Sequence, residues 1–143
     1  MTYETIRVNP LTPRIGAEIG GIDLSQPLGN QTFAEVHDAL MEHQVIFFRD
    51  QNMTVEQHKA FACLFGELHI HPILGAGDAG HPELLILRAD ETTKYAAGSV
   101  GWHSDVSADA EPPMGSILHL TEVPGTGGDT FFASMYHAYD ALD

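Results

Sequence analysis

The sequence predicts a domain of the mixed α/β (α+β) class, in which short strands and amphipathic helices are both present. Apolar residues recur at helical spacing in two stretches, whereas other stretches are short apolar runs bounded by glycine, proline and polar residues, as is typical of strands. Apolar residues also make up 43% of the 143-residue chain, which is enough for the core of one domain.

The first predicted helix covers residues 32–43. Thr32 and Glu35 stand three residues apart at its start, the spacing of a capping box. Its predicted apolar stripe consists of Phe33, Val36, Leu40 and Met41. Strands are expected around this helix at residues 6–8, 17–19 and 45–48, and the last of them is short, apolar and expected to be buried.

A second helix is predicted to open at Thr54, where Gln57 completes another capping box. Gly66 is expected to end the helix, because glycine readily adopts the left-handed conformation of a helix terminus. Cys63 falls near the apolar stripe of this helix, so it is predicted to be a packed thiol rather than a nucleophile.

The second half of the chain is predicted to contain further strands and one more helix. Residues 89–99 are polar and contain glycine, which indicates a loop. Ser134 caps the last helix, which is expected to run on to the end of the sequence, so we expect residues 1–143 to be the N-terminal portion of a single domain. The strands of this half are predicted at residues 84–87, 116–121 and 130–132.

The charge of the chain limits the kinds of partner that it can bind. A formal net charge of −14 excludes nucleic acid and anionic membrane surfaces as natural partners, because few groups are available to neutralise phosphates. No lysine or arginine follows Lys94, so the last third of the chain has no cation with which to bind an anionic substrate.

The cellular setting is expected to be cytoplasmic. Cys63 is the only cysteine, so an internal disulfide is impossible and a reducing compartment is plausible. The N-terminus has neither a basic start nor an apolar run, which argues against a signal peptide, and no apolar stretch is long enough to span a bilayer.

The most informative motif is Trp102-His103-Ser104-Asp105. On a strand, side chains two positions apart share a face, so His103 and Asp105 would converge on one point. An imidazole and a carboxylate at one point form two thirds of the 2-His-1-carboxylate triad that holds non-haem Fe(II). Two other interpretations stay open on these residues alone, an ordinary surface pair and a zinc-dependent cupin-like hydrolase.

Two further segments could contribute to a site. His69-Ile70-His71 has the same alternate spacing, and the preferred interpretation is one structural histidine and one histidine that lines a pocket. The glycine-rich segment at 125–130 lacks the lysine of a phosphate-binding loop. It is either a tight turn or a turn that lets Thr130 offer its hydroxyl to a carboxylate ligand.

Taken together, the ordered segments from about residue 15 onward resemble the taurine dioxygenase / 2,4-D dioxygenase family of Fe(II)- and 2-oxoglutarate-dependent oxygenases. The matching segments are Gly16-Ala17-Glu18-Ile19 with Gly21-Ile22-Asp23-Leu24, His43–Gln51, Phe65–Pro72, Trp102–Val106 and Gly127-Gly128-Asp129-Thr130.

The resemblance implies a double-stranded β-helix, the cupin-like jelly-roll core, incomplete in this chain and with N-terminal helices packed outside. It implies that His103 and Asp105 bind iron, and that Thr130 contacts 2-oxoglutarate. His71, Ser99 and Val106 would contact a small organic acid. The implied reaction consumes O2, converts 2-oxoglutarate to succinate and CO2, and hydroxylates the acid.

Three positions depart from the pattern of taurine-specific members. Leu74, Ser99 and Ala108 stand where such members carry Tyr, Asn and Phe. Because a missing hydrogen-bonding group changes substrate choice strongly, the expected substrate is a more apolar acid than taurine. Alkyl sulfonates, sulfate esters and aryloxyalkanoates are the candidates.

The resemblance also places two expected groups outside these 143 residues, namely the distal iron-binding histidine and the arginine that pairs with 2-oxoglutarate. A non-catalytic half-barrel remnant or binding module is therefore the alternative to an enzyme. Half of a jelly roll would expose unpaired strand edges, so a homo-oligomer is expected in either case.

Overall fold

A computed structural model describes residues 2–71, 80–88 and 101–142 of the chain. The chain divides into two compact units. The first comprises Met1–Leu64 and His119–Asp143, and the second comprises Phe65–Leu118. Among the described residues, no helix is long and apolar enough to cross a membrane.

The first unit contains a three-stranded sheet that confirms the three predicted N-terminal strands. Strand β1 covers Arg7–Pro10, β2 covers Ala17–Gly20 and β3 covers Ile46–Phe48, in the order β1-β2-β3. The β1–β2 pair is antiparallel and the β2–β3 pair is parallel. Gly16 precedes β2 with φ +88°, a conformation that favours glycine, and its carbonyl accepts a 2.8 Å hydrogen bond from the Leu11 N–H.

Helix α1 covers Asn30–His43, so it begins two residues earlier than predicted. The predicted capping box at Thr32 is wrong. Gly29 is the N-cap and contributes no side-chain hydrogen bond, while the Glu35 carboxylate accepts hydrogen bonds from the N-terminal segment instead. The apolar stripe is shorter than predicted, because Val36 is completely buried whereas Met41 is 53% exposed.

Helix α2 covers Val55–Ala62 and has the predicted cap. The Thr54 side chain accepts a hydrogen bond from the Gln57 N–H, and the Gln57 side chain accepts one from the Thr54 N–H. The predicted burial of Cys63 is wrong, because the helix ends at Ala62 and Cys63 lies exposed at the C-cap.

The buried apolar residues of the described chain all lie in the first unit, between the sheet and the helices. Phe61 of α2 meets Phe48 of β3 edge-to-face, with ring centroids 5.8 Å apart, a favourable aromatic geometry. The residues of this core are Ile6, Ala17, Ile19, Leu24, Val36, Ala39 and Phe61.

The later part of the chain forms fewer regular elements than predicted. Helix α3 covers Met135–Asp140 with Ser134 as its cap, as expected, but it ends at Asp140. The strands predicted at 84–87, 116–121 and 130–132 are absent, and their apolar side chains lie largely in solvent. A strand is stable only when it pairs and buries one face, and these stretches do neither among the described residues. The three-stranded sheet is therefore the sheet that the described residues form.

Candidate functional site

The motif with His103 and Asp105 lies in the second unit, in a stretch without regular secondary structure that enters a turn at residues 105–108. The strand predicted for this motif is therefore wrong. The two side chains nevertheless converge, because the turn brings the Asp105 carboxylate back toward the preceding imidazole. His103 Nε2 lies 3.3 Å from Asp105 Oδ1.

The other ring nitrogen of His103 defines the protonation pattern of the imidazole. Nδ1 lies 3.1 Å from the backbone carbonyl oxygen of Gly101. A carbonyl only accepts hydrogen bonds, so Nδ1 carries a proton in this contact. Nε2 then either carries a second proton and forms an ion pair with Asp105, or presents its lone pair toward the carboxylate. About half of each side chain is open to solvent.

A strained backbone supports the turn after this pair. Val106 has φ +50°, in the left-handed region that a β-branched residue rarely adopts. Its carbonyl accepts a 3.1 Å hydrogen bond from the Asp109 N–H, and the Ser104 hydroxyl donates to the Ser107 hydroxyl at 2.8 Å. The Ser104–Ser107 hydrogen bond thus spans Asp105, and the hydrogen bond between Asp109 and Val106 closes the turn that follows.

The other predicted site residues that the structure describes belong to both units. Val106 is half-buried, and His71 is half-buried in a segment of the second unit without a strand. Thr130 is exposed and belongs to the first unit, next to a turn in which Gly127 and Gly128 both have φ +76°. Ser99 and Leu74 lie outside the described residues.

One contact in the second unit involves residues that the sequence did not single out as a pair. His69 Nε2 lies 3.3 Å from Asp109 Oδ2, across forty positions of sequence. In the sequence, the alternate spacing of His69 and His71 predicts different roles for the two histidines, but it does not indicate a partner for His69. The sequence offered no basis for choosing Asp109 over the other acids of its loop.

The potential metal ligands number two at this site. Among residues 2–71, 80–88 and 101–142, no group of three or more histidine, cysteine or acidic side chains could hold a metal ion. His103 and Asp105 therefore offer one nitrogen and at least one oxygen, a donor set that suits iron as well as other transition metals.

Comparisons with known proteins agree on one family. The pattern of the family described as "Taurine catabolism dioxygenase TauD, TfdA family" matches residues 7–143. An alkylsulfatase of Acinetobacter baylyi is 41% identical over 141 residues, which cover 97% of this chain and 43% of the relative. An alpha-ketoglutarate-dependent sulfate ester dioxygenase of Pseudomonas putida is 38% identical over 136 residues, which cover 94% of this chain and 44% of the relative.

Solved structures give the same answer. A Burkholderia xenovorans protein assigned as an alpha-ketoglutarate-dependent taurine dioxygenase is 42% identical, with a TM-score of 0.62 over 76% of this chain and 38% of its own. A taurine dioxygenase of the same organism is 44% identical, with a TM-score of 0.51 over 55% and 28%. The chain thus spans less than half the length of these relatives, and within that span it belongs to the TauD/TfdA family of dioxygenases.

Proposed function

We propose that the protein is an Fe(II)- and 2-oxoglutarate-dependent dioxygenase that hydroxylates a small organic acid. The observation that carries the proposal is the 3.3 Å approach of His103 Nε2 to Asp105 Oδ1, in a chain of the TauD/TfdA family. Relatives named for dependence on alpha-ketoglutarate support the reaction class.

The chemistry of the pair fits an iron ion. With Nδ1 donating to the Gly101 carbonyl, an imidazole without a second proton directs its Nε2 lone pair toward a carboxylate oxygen. Two electron-rich atoms at this separation repel each other unless a proton or a cation lies between them. The Nδ1 contact is also the outer hydrogen bond that usually orients a metal-binding histidine.

We assign a role to each residue of the proposed site. His103 and Asp105 hold Fe(II), which when bound supplies the redox chemistry that couples O2 to decarboxylation of 2-oxoglutarate. Thr130 donates its hydroxyl to a carboxylate of 2-oxoglutarate. His71 binds the acid group of the organic substrate, with Ser99 beside it, and Val106 forms part of the apolar wall.

We propose an alkyl sulfate ester or a related apolar acid as the substrate class. Two of the relatives are named an alkylsulfatase and a sulfate ester dioxygenase. Leu74 and Ala108 provide apolar side chains without hydrogen-bonding groups, which favours an alkyl chain over a polar amine.

The proposed architecture follows the family. We infer a double-stranded β-helix core within a single domain, of which these residues are the N-terminal portion. The third iron ligand and the arginine that pairs with 2-oxoglutarate would then lie in the part of the relatives' sequences that this chain does not cover.

The test is an anaerobic titration of the full-length protein with Fe(II) and 2-oxoglutarate, followed by admission of O2 and an assay for succinate in the presence of an alkyl sulfate. We expect a weak visible charge-transfer band and 2-oxoglutarate-dependent succinate formation, both abolished by His103→Ala or Asp105→Ala. His81→Ala, which changes another histidine of the second unit, is the matched control and should retain both signals. Succinate formation that survives in either ligand variant would refute the metal assignment.

A non-catalytic binding module is the second candidate, and one observation favours it. The described residues supply two potential ligands at the site rather than three. In that case a folded sample would give neither the band nor succinate, while still binding the organic acid. Isothermal titration with an alkyl sulfate distinguishes the two functions.

A further inference from the structure

His69 and Asp109 join two segments of the second unit that are far apart in sequence. The atoms His69 Nε2 and Asp109 Oδ2 are 3.3 Å apart, and the two side chains are 31% and 40% exposed. A carboxylate accepts hydrogen bonds and an imidazole N–H donates them. The contact is therefore a hydrogen bond whenever Nε2 carries a proton, whether the ring is neutral or positively charged. Partial burial of the pair shields it from competition by water better than a fully exposed contact.

The contact joins the segment that carries His71 to the turn that follows Asp105. His69 precedes His71 by two residues, so its ring anchors the segment that carries this proposed substrate-binding histidine. Asp109 follows Asp105 by four residues and closes the turn through its own N–H to the Val106 carbonyl. Asp109 is therefore held at two points, by its backbone to the turn and by its carboxylate to His69.

We propose that His69 and Asp109 are a positioning pair, which holds the segment of His71 in a fixed place relative to the turn that bears Asp105. The proposal rests on the proposed function, since it concerns how the acid group of the substrate is placed against the metal pair. Neither residue touches the substrate. Their contact restricts the motion of His71, and the order of the segment lowers the entropy cost of binding the acid.

A positioning role differs from simple stabilisation in what its loss changes. A side-chain contact that is about a third exposed contributes little to the stability of a fold, even when both partners are charged. Removing it should therefore leave the unfolding transition nearly unchanged. The effect should appear in the surroundings of His71 and in the affinity for the organic substrate.

The first experiment uses nuclear magnetic resonance on the 143-residue chain with ¹⁵N-labelled histidine rings. Asp109→Ala removes the acceptor, Asp109→Asn keeps an oxygen acceptor without the charge, and Glu111→Ala changes another exposed acid of the same loop as a control. We expect Asp109→Ala to shift and broaden the ring signals of both His69 and His71. Asp109→Asn should restore most of the His71 signal, and Glu111→Ala should leave both rings as they are.

The second experiment measures turnover of hexyl sulfate by the full-length protein with saturating 2-oxoglutarate. We expect Asp109→Ala to raise KM for hexyl sulfate by about 3- to 10-fold with kcat within about 2-fold, as loss of ground-state positioning predicts. KM for 2-oxoglutarate should not change, and Asp109→Asn should recover most of the affinity. His69→Ala should match Asp109→Ala, and the double variant should add no further loss.

The outcomes separate this proposal from the proposed function. Unchanged His71 signals in Asp109→Ala, or changed signals with an unchanged KM, would overturn the positioning role even if His103→Ala abolished succinate formation. A lower unfolding midpoint as the sole effect would also overturn it. If not even the full-length parent protein formed succinate from 2-oxoglutarate, the proposed function would fail, and the role of the pair in substrate binding would fail with it.

Discussion

The carboxylate of Glu35 gathers hydrogen bonds from a segment about thirty positions earlier in the chain. It accepts the backbone N–H of Glu4 at 3.1 Å, of Thr5 at 2.9 Å and of Ile6 at 3.3 Å. The Thr5 hydroxyl and the Gln31 amide donate to it as well. Desolvation raises the pKa of Glu35, but these hydrogen bonds outweigh it and bring the pKa down to about 2.

Glu35→Gln should make the stability of the first unit less dependent on pH. Because the folded-state pKa lies below its usual value of 4.5, the carboxylate stabilises the fold above pH 4.5, and this contribution is lost as the pH falls toward about 2. The parent chain should therefore be more stable than Glu35→Gln at neutral pH, and the two should converge in acid. Urea unfolding across this range measures the difference.

Asp38→Asn is the control for that comparison, since it removes another acid of the same helix. It should lack the loss of stability at neutral pH expected for Glu35→Gln, because the hydrogen bonds from residues 4–6 go to Glu35. A constant gap between the parent chain and Glu35→Gln at every pH would contradict the ionic role of Glu35.

The residues of the candidate site show how far residue types and spacing predict which side chains meet. His103 and Asp105 were identified from two positions of sequence, and they do meet at 3.3 Å. The expected cause was wrong, because a turn brings them together where a strand was predicted. Two positions along the chain limit the separation of side chains in either conformation. Asp109 escaped prediction because its partner lies forty residues away.

At the scale of elements, the sequence predicts a helix cap correctly where both capping residues bind each other within the same helix turn. Thr54 and Gln57 satisfy each other within a single turn, so the cap of α2 was predictable. Thr32 and Glu35 have the same spacing, but the Glu35 carboxylate is engaged by residues 4–6. Tertiary contacts thus determine which of these two locally equivalent sequences forms a capping box.

These two threonines give a matched pair of substitutions. Thr54→Ala should lower the free energy of unfolding by about 1 kcal/mol, because the first turn of α2 loses a side-chain acceptor. Thr32→Ala should change it by no more than about 0.5 kcal/mol, because Thr32 lies inside α1 and caps nothing. Urea denaturation of the two variants beside the parent chain measures both. Equal losses would contradict the observed caps.

At the scale of the whole molecule, the sequence predicted residues 7–62 better than the later strands. The sheet and the two helices at residues 7–62 bury their apolar faces on each other, so periodicity and packing agree. The run at 116–121 alternates and the run at 130–132 is short and apolar, yet both lack strand partners among the described residues. Alternation shows that a strand has an apolar face, and it does not show what covers that face.

The first unit therefore leaves a stretch of apolar side chains open to solvent. Along α3 and after it, Met135, Tyr136, Tyr139 and Leu142 are each between 72% and 75% exposed, and Phe131 is 77% exposed. Three of these residues line a shallow depression together with Asp140. Because exposed apolar surface of this kind favours association, we expect copies of the chain to associate through it.

The net charge of −14 opposes that association, so salt should control it. The Debye length falls from about 10 Å at about 0.1 M salt to about 3 Å at about 1 M, which screens the repulsion between two acidic chains and leaves apolar contact intact. Sedimentation velocity should therefore find a monomer at low salt and a growing dimer fraction at high salt. Tyr136→Ser with Tyr139→Ser should keep the chain monomeric in both, whereas Tyr3→Ser should behave as the parent chain. Dimer formation that weakens with salt would instead indicate an interface built from ion pairs.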